Sequence, residues 1–120
     1  MADLSGSGDR DVDVFVDANL RSFAAWDVAV YLDHNEGASS RVEDFVGRLG
    51  RKDYEVEPVL RDLVERGIAV ESTGPDGVVR YALSPDPAIR LTVARFVELA
   101  KVREVRLEFV RRVLARMSRG

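Results

Sequence analysis

The side chains that could do chemistry are few, and their types and spacing exclude more than they offer. His34 is the only histidine and cysteine is absent, so no thiolate, disulfide or paired imidazole is available for a metal site or a nucleophile. The lone histidine reads as a partly exposed side chain near a helix C-terminus. Asp9, Asp11 and Asp13 alternate like the first ligands of a calcium loop, but Val14 stands where that loop needs glycine and Leu20 where it needs glutamate. A solvated acidic run is the better reading. No glycine-rich phosphate loop is present, and no residues divide into acid, base and nucleophile. Neither an enzyme nor a cofactor is expected. What remains is a group of bases, Arg41, Arg48, Arg51 and Lys52, able to hold backbone phosphates of a nucleic acid. The same bases also suffice to balance Glu43, Asp44 and Asp53 on a solvated face. Both readings stand at this point.

The elements that position these bases are legible from apolar spacing. Ser40 and Glu43 stand in the S-x-x-E spacing of a capping box, which starts a helix near Arg41. Val42, Phe45, Val46 and Leu49 share one face of it, and Gly50 ends it. Val56, Leu60, Leu63 and Val64 repeat the pattern up to Gly67. Pro58 belongs in the first turn of that second helix, which predicts a start between Tyr54 and Glu57. The period then becomes two. Ile68 and Val70, then Val79, Tyr81 and Leu83, flank the turn Gly74-Pro75-Asp76-Gly77 and predict a β-hairpin. Upstream, Phe23, Trp26, Val28, Val30, Tyr31 and Leu32 predict a helix from Ser22 to about Asn35-Glu36-Gly37. Trp26 and Tyr31 are read as packing residues, not ligand platforms. Residues 1–14, with Ser5-Gly6-Ser7-Gly8, read as a flexible acidic tail. Val12, Val14 and Val16 alternate as an edge strand would, yet Phe15 interrupts the polar face, so an irregular arm is equally open.

After the hairpin, Ser84-Pro85-Asp86-Pro87 enforces a turn, and one long helix is predicted from about Ala88 to Met117, a rod of roughly 40 Å. Lys101, Glu108, Arg112 and Arg119 fall on one solvated strip of that rod. Its apolar remainder, including Leu107 and Leu114, is wider than one packing face. A second subunit is the expected cover, with Phe96, Leu99, Val102, Val105, Phe109, Val110, Val113 and Met117 in the interface and Phe109 and Val113 at its centre. The alternative is that the N-terminal arm and first helix fill this surface within one chain.

Length and charge fit that plan. The chain has 120 residues, 46% of them apolar, which suits one domain with a core. Its net charge of −3 hides a gradient: residues 1–38 carry eight acids and two bases, residues 84–120 four acids and nine bases. No apolar run approaches a membrane span, and the N-terminus lacks the plan of a signal peptide. The cytoplasm is the default location, with no membrane partner.

The run Val59-Leu60-Arg61-Asp62-Leu63-Val64-Glu65-Arg66-Gly67-Ile68, with Leu49 before a short turn, is similar to the L-x-x-L-x-x-x-G-[LI] ending of a recognition helix. The chain thereby resembles the winged helix-turn-helix transcriptional regulators of bacteria, the MarR-like, ArsR-like and PadR-like proteins. The resemblance implies a mainly α fold with a small antiparallel β-hairpin. Residues 15–84 would form the winged domain, and residues 85–120 a long dimerisation helix. It also implies double-stranded DNA as partner and a homodimer. A reader helix of about 54–66 would present Tyr54, Glu55, Glu57 and Arg61 to the major groove, and a wing of 68–83 would approach the minor groove with Arg80. Glu55 and Glu57 depart from the usual charge of such a reader, because carboxylates oppose phosphate, although glutamate can accept from cytosine. The alternative function is a winged-helix domain turned to protein association. A small-molecule effector between the first and last helices stays open, its identity unspecified.

Overall fold

The computed structural model describes residues 6–118, with side chains from Arg10 onward. Along the chain run α1 (Gly6–Asn19), α2 (Phe23–His34), α3 (Val42–Leu49), α4 (Asp53–Glu65), β1 (Ala69–Thr73), β2 (Val79–Leu83), α5 (Pro87–Leu99) and α6 (Arg103–Ser118). The class is therefore mainly helical, with one two-stranded antiparallel hairpin.

Local chemistry accounts for most of these boundaries. Ser22 caps α2 by accepting from the Ala25 amide at 3.1 Å. Gly50 closes α3 at φ 66° and Gly67 follows α4 at φ 81°, left-handed positions that only glycine adopts without a Cβ penalty. The expected cap of α3 is displaced by one residue. Its reciprocal contact is the Arg41 amide donating to Asp44 Oδ2 at 2.9 Å, while Ser40 is buried in a β-bridge to Tyr81. Ser40 and Tyr81 exchange two backbone hydrogen bonds of 2.8 Å, and Tyr31 Oη donates to Ser40 Oγ at 3.0 Å. A buried hydroxyl with a partner inside the fold has no reason to cap an exposed helix end. The helix holding Pro58 starts one residue before the expected window, because the Lys52 amide donates to Glu55 Oε1 at 3.0 Å and starts α4 at Asp53. Proline there leaves the Tyr54 carbonyl without its helical donor. Tyr54 is 72% exposed, so water is at hand to serve it.

The hairpin register pairs Ala69 with Leu83, Glu71 with Tyr81 and Thr73 with Val79. Leu83 and Tyr81 face the core as predicted, whereas Val70 points outward and Ala69 takes the buried place. The slip arises because Ile68 is not a strand residue. Its amide donates to the Leu63 carbonyl at 2.9 Å and finishes α4 before the strand begins.

Two larger expectations are corrected. The run around Val12, Val14 and Val16 is neither strand nor irregular arm but part of α1, which starts inside the expected tail. Residues 1–5 of that tail, and Arg119 of the expected strip, lie outside the described residues. Val12, Phe15, Val16 and Leu20 are buried at i, i+3, i+4 and i+8, and only Val14 stays out in solvent. The expected single C-terminal helix is two helices, α5 and α6, separated by a turn over residues 100–102. There the Val102 amide donates to the Leu99 carbonyl at 3.0 Å, one residue short of helical spacing. Phe96 and Phe109, thirteen residues apart, would stand about 20 Å from each other on a continuous rod. Their ring centroids are 5.4 Å apart.

That fold-back builds the core. Phe96 lies 5.6 Å from Phe15 and 5.3 Å from Trp26, and Trp26 lies 6.3 Å from Phe109, so α1, α2, α5 and α6 meet in one aromatic cluster. Arg112 Nη1 reaches Asp13 Oδ1 at 2.8 Å and ties α6 to α1 at the surface. Phe96, Phe109 and Val113 of the expected dimer interface are therefore interior to the chain. Leu99, Val105 and Val110 are partly buried, and Val102 and Met117 are exposed. The alternative cover, the N-terminal segment (α1) and the helix from Ser22 (α2) of the same chain, packs against Phe96 and Phe109. Among the described residues no helix is long and apolar enough to cross a membrane.

Candidate functional site

The α3–α4 pair and the hairpin form the face on which the sequence placed its candidate contacts. Short connections fix their geometry: three residues join α3 to α4, and the Ser40–Tyr81 bridge fastens β2 to the segment entering α3. On α4 the core side is Val56, Leu60 and Leu63, while Asp53, Tyr54, Glu57, Arg61 and Glu65 are exposed. The outward strip of α4 thus carries three carboxylates against one guanidinium.

The other expected phosphate contacts divide into engaged and free. Arg51 is held by its own fold, with Nε 2.8 Å from Asp27 Oδ2 and Nη1 3.8 Å from Glu55 Oε2. Glu55 is itself spent on the helix start, so neither residue is presented to a partner as expected. Arg41 lies 4.0 Å from Asp44. Arg80 is clamped in the hairpin turn, with Nη2 3.1 Å from Asp76 Oδ2 and Nη1 3.3 Å from Oδ1. Hydrogen bonds from Arg80 and from the Val78 amide hold the Asp76 carboxyl down to about 2. Gly74 makes the clamp possible, since a Cβ there would meet Arg80 Nη1 at 2.8 Å and Asp76 Oδ1 at 2.9 Å. Arg48, Lys52 and Arg61 form no ion pair among the described residues.

Between α3, the start of α4 and the hairpin lies a groove of about 650 Å³ that spacing alone did not reveal. Val42, Val46, Val78 and Val79 line it with Gly47, and Glu43, Asp53, Glu57 and Lys52 supply its charge. Over residues 41–83 nine acids face seven bases. Burial pushes the Tyr81 phenol above its ordinary value, and Glu71 and Glu57 push in the same direction. The field on this face is therefore negative, and several of the bases that would offset it are already paired.

A second exposed feature lies on α6. Leu107, Val110, Leu114 and Met117 recur at 3-4-3 spacing, and Leu107 and Leu114 are 51% and 49% exposed. The expected interface list holds only two of these four. Phe109 and Val113 belong to the opposite, inward face, and without the break at residues 100–102 the two faces could not be told apart. His34 is exposed at the end of α2. Among the described residues no group of three or more His, Asp or Glu side chains is arranged to hold a metal ion. No protein-family model matches the chain, and no curated protein or solved structure matches it either.

Proposed function

We propose that the chain is a winged-helix association module, whose α3–α4–hairpin face docks a protein segment bearing apolar and basic side chains. The observation that carries this reading is the groove: its floor is valine and its charged members are three carboxylates and one ammonium. Duplex DNA presents the opposite chemistry, a polyanion without an apolar ridge, and binding it requires bases free to displace counterions. An apolar floor inside a charged rim is instead the usual anatomy of a protein contact.

A second reading, a DNA-binding transcriptional regulator of the winged-helix kind, is favoured by Arg48, Lys52 and Arg61, which are exposed without ion pairs among the described residues. Tyr54 at the leading end of α4 suits either partner. The α6 stripe supports a homodimer under both readings. Its 3-4-3 spacing is that of a two-helix seam, and it replaces the seam centred on Phe109 and Val113.

Selection from displayed random peptides tests the proposal. Enriched sequences should combine Lys or Arg with branched or aromatic residues, and their binding should be lost in Val46→Asp and weakened in Glu57→Lys. Enrichment of acidic peptides, or binding unaffected by both substitutions, would refute it.

A further inference from the structure

A second cleft lies away from the docking groove and shares none of its lining residues. It has a volume of about 370 Å³, and Val14, Phe15, Ile68 and Ile89 form its apolar walls. Three polar side chains also line it: Asp11, Asn19 and Thr92. Asn19 is only 8% exposed. One N–H of its amide Nδ2 donates to the Phe15 carbonyl at 3.1 Å, and the Oδ1 acceptor has no partner among the described residues. An amide oxygen at the cleft wall without a protein donor can accept a hydrogen bond from a ligand. Asp11 is exposed, forms no ion pair among the described residues, and adds a carboxylate to the same cleft. The nearby start of α5 does not offset this by attracting anions, because Asp86 Oδ1 already accepts from the Ala88 amide at 2.9 Å.

From these groups we infer that the cleft between α1, α5 and the base of the hairpin binds a small amphipathic cation, a primary ammonium on an apolar body of about one ring. The ammonium is the complement of what the site offers: one carboxylate, one unpaired amide oxygen and one hydroxyl, with the hydrocarbon body against Phe15 and Ile89. The volume sits near the lower end of the range for ligand pockets, about 300–1,000 Å³. Ile68 gives the site a route to the rest of the fold. Its carbonyl accepts from the Ser84 amide at 2.9 Å, closing the base of the hairpin, and its amide ends α4. A ligand seated there braces α1 and α5 against the hairpin that forms one wall of the docking groove. The inference stands on the cleft alone and does not depend on what the groove binds.

Titration of the isotope-labelled full chain with 2-phenylethylammonium, followed by amide chemical shifts, tests it. Saturable shifts should appear at Phe15, Asn19, Ile68 and Ile89, with a Kd of about 1 mM or tighter. Phenylacetate, of the same shape and opposite charge, should leave those amides in place. Asp11→Asn should weaken the amine about fivefold, the scale of an exposed ion pair. Ala88→Trp, at an exposed lining position, should abolish binding by filling the cleft without unfolding the chain. Absence of saturable shifts, equal binding of phenylacetate, or affinity unchanged in both variants would each overturn the inference.

Discussion

Phe109→Ala separates a core residue from an interface residue, and its cost follows from the aromatic cluster. Phe109 is 3% exposed, with its ring 5.4 Å from Phe96 and 6.3 Å from Trp26. Truncation removes the ring's transfer free energy and leaves a cavity that α1 and α2, pinned by Phe15 and Trp26, fill only in part. Such substitutions cost about 3–5 kcal/mol. A domain of this size is stable by about 5–15 kcal/mol, so the loss is a large fraction of the total. With a urea slope of about 2 kcal/mol/M, the unfolding midpoint should fall by roughly 2 M. Circular dichroism and Trp26 fluorescence should report the same transition, since Trp26 packs on the ring being removed. Leu114→Ala, on the exposed stripe of the same helix, should stay within about 0.5 kcal/mol of the parent under conditions where the chain is monomeric. Phe109→Asp should leave the chain unfolded, because it buries a carboxylate without a partner. A Phe109→Ala midpoint close to that of the parent, or a Phe109→Asp protein that is folded and monomeric, would refute the fold-back of α6 onto α5.

The stripe on α6 makes its own prediction: light scattering should give a dimer, and Leu107→Asp with Leu114→Asp should give a folded monomer with an unchanged circular dichroism spectrum. A monomeric parent at micromolar concentration contradicts it. The hairpin clamp predicts that the Asp76 carboxyl titrates near 2 by NMR and returns toward the ordinary aspartate value, about 3.9, in Arg80→Ala. Because the folded value is depressed, the clamp's contribution is full above the unfolded value and fades as pH falls through about 2. An Asp76 titration unmoved by Arg80→Ala would show the clamp absent.

The helices around the candidate face were legible because their apolar residues repeat cleanly and glycines end them: Val42 to Gly50 and Val56 to Gly67 carried the signal. The hairpin turn was legible for the same reason, its residues having few conformational alternatives. The α1 helix was hidden by Val12, Val14 and Val16, whose alternation masks the helical set Val12, Phe15, Val16 and Leu20, and by glycines at its start that helices disfavour. The break between α5 and α6 left no local trace. Ala100-Lys101-Val102 contains neither glycine nor proline, and the turn exists because it brings Phe109 and Val113 onto Phe96, Trp26 and α1, a tertiary gain no short window contains. The loss of Arg51 and Arg80 as free contacts was equally nonlocal in one case and local in the other. Asp27 lies 24 residues from Arg51, whereas Asp76 is one turn-length from Arg80 and its i, i+4 spacing was available to be read.

The central claim, that the α3–α4–hairpin face takes protein and not duplex, is tested most directly by fluorescence anisotropy of a labelled random DNA duplex titrated with the parent protein at about 50 mM salt, where phosphate-driven binding is favoured. The account predicts no saturable complex with the parent, and only weak, salt-sensitive binding once Glu55→Gln and Glu57→Gln remove two carboxylates. A saturable complex of the parent, weakening steeply with salt and losing about one unit of log–log slope for each Lys52 removed from the assembly, would contradict the claim and establish the DNA-binding reading.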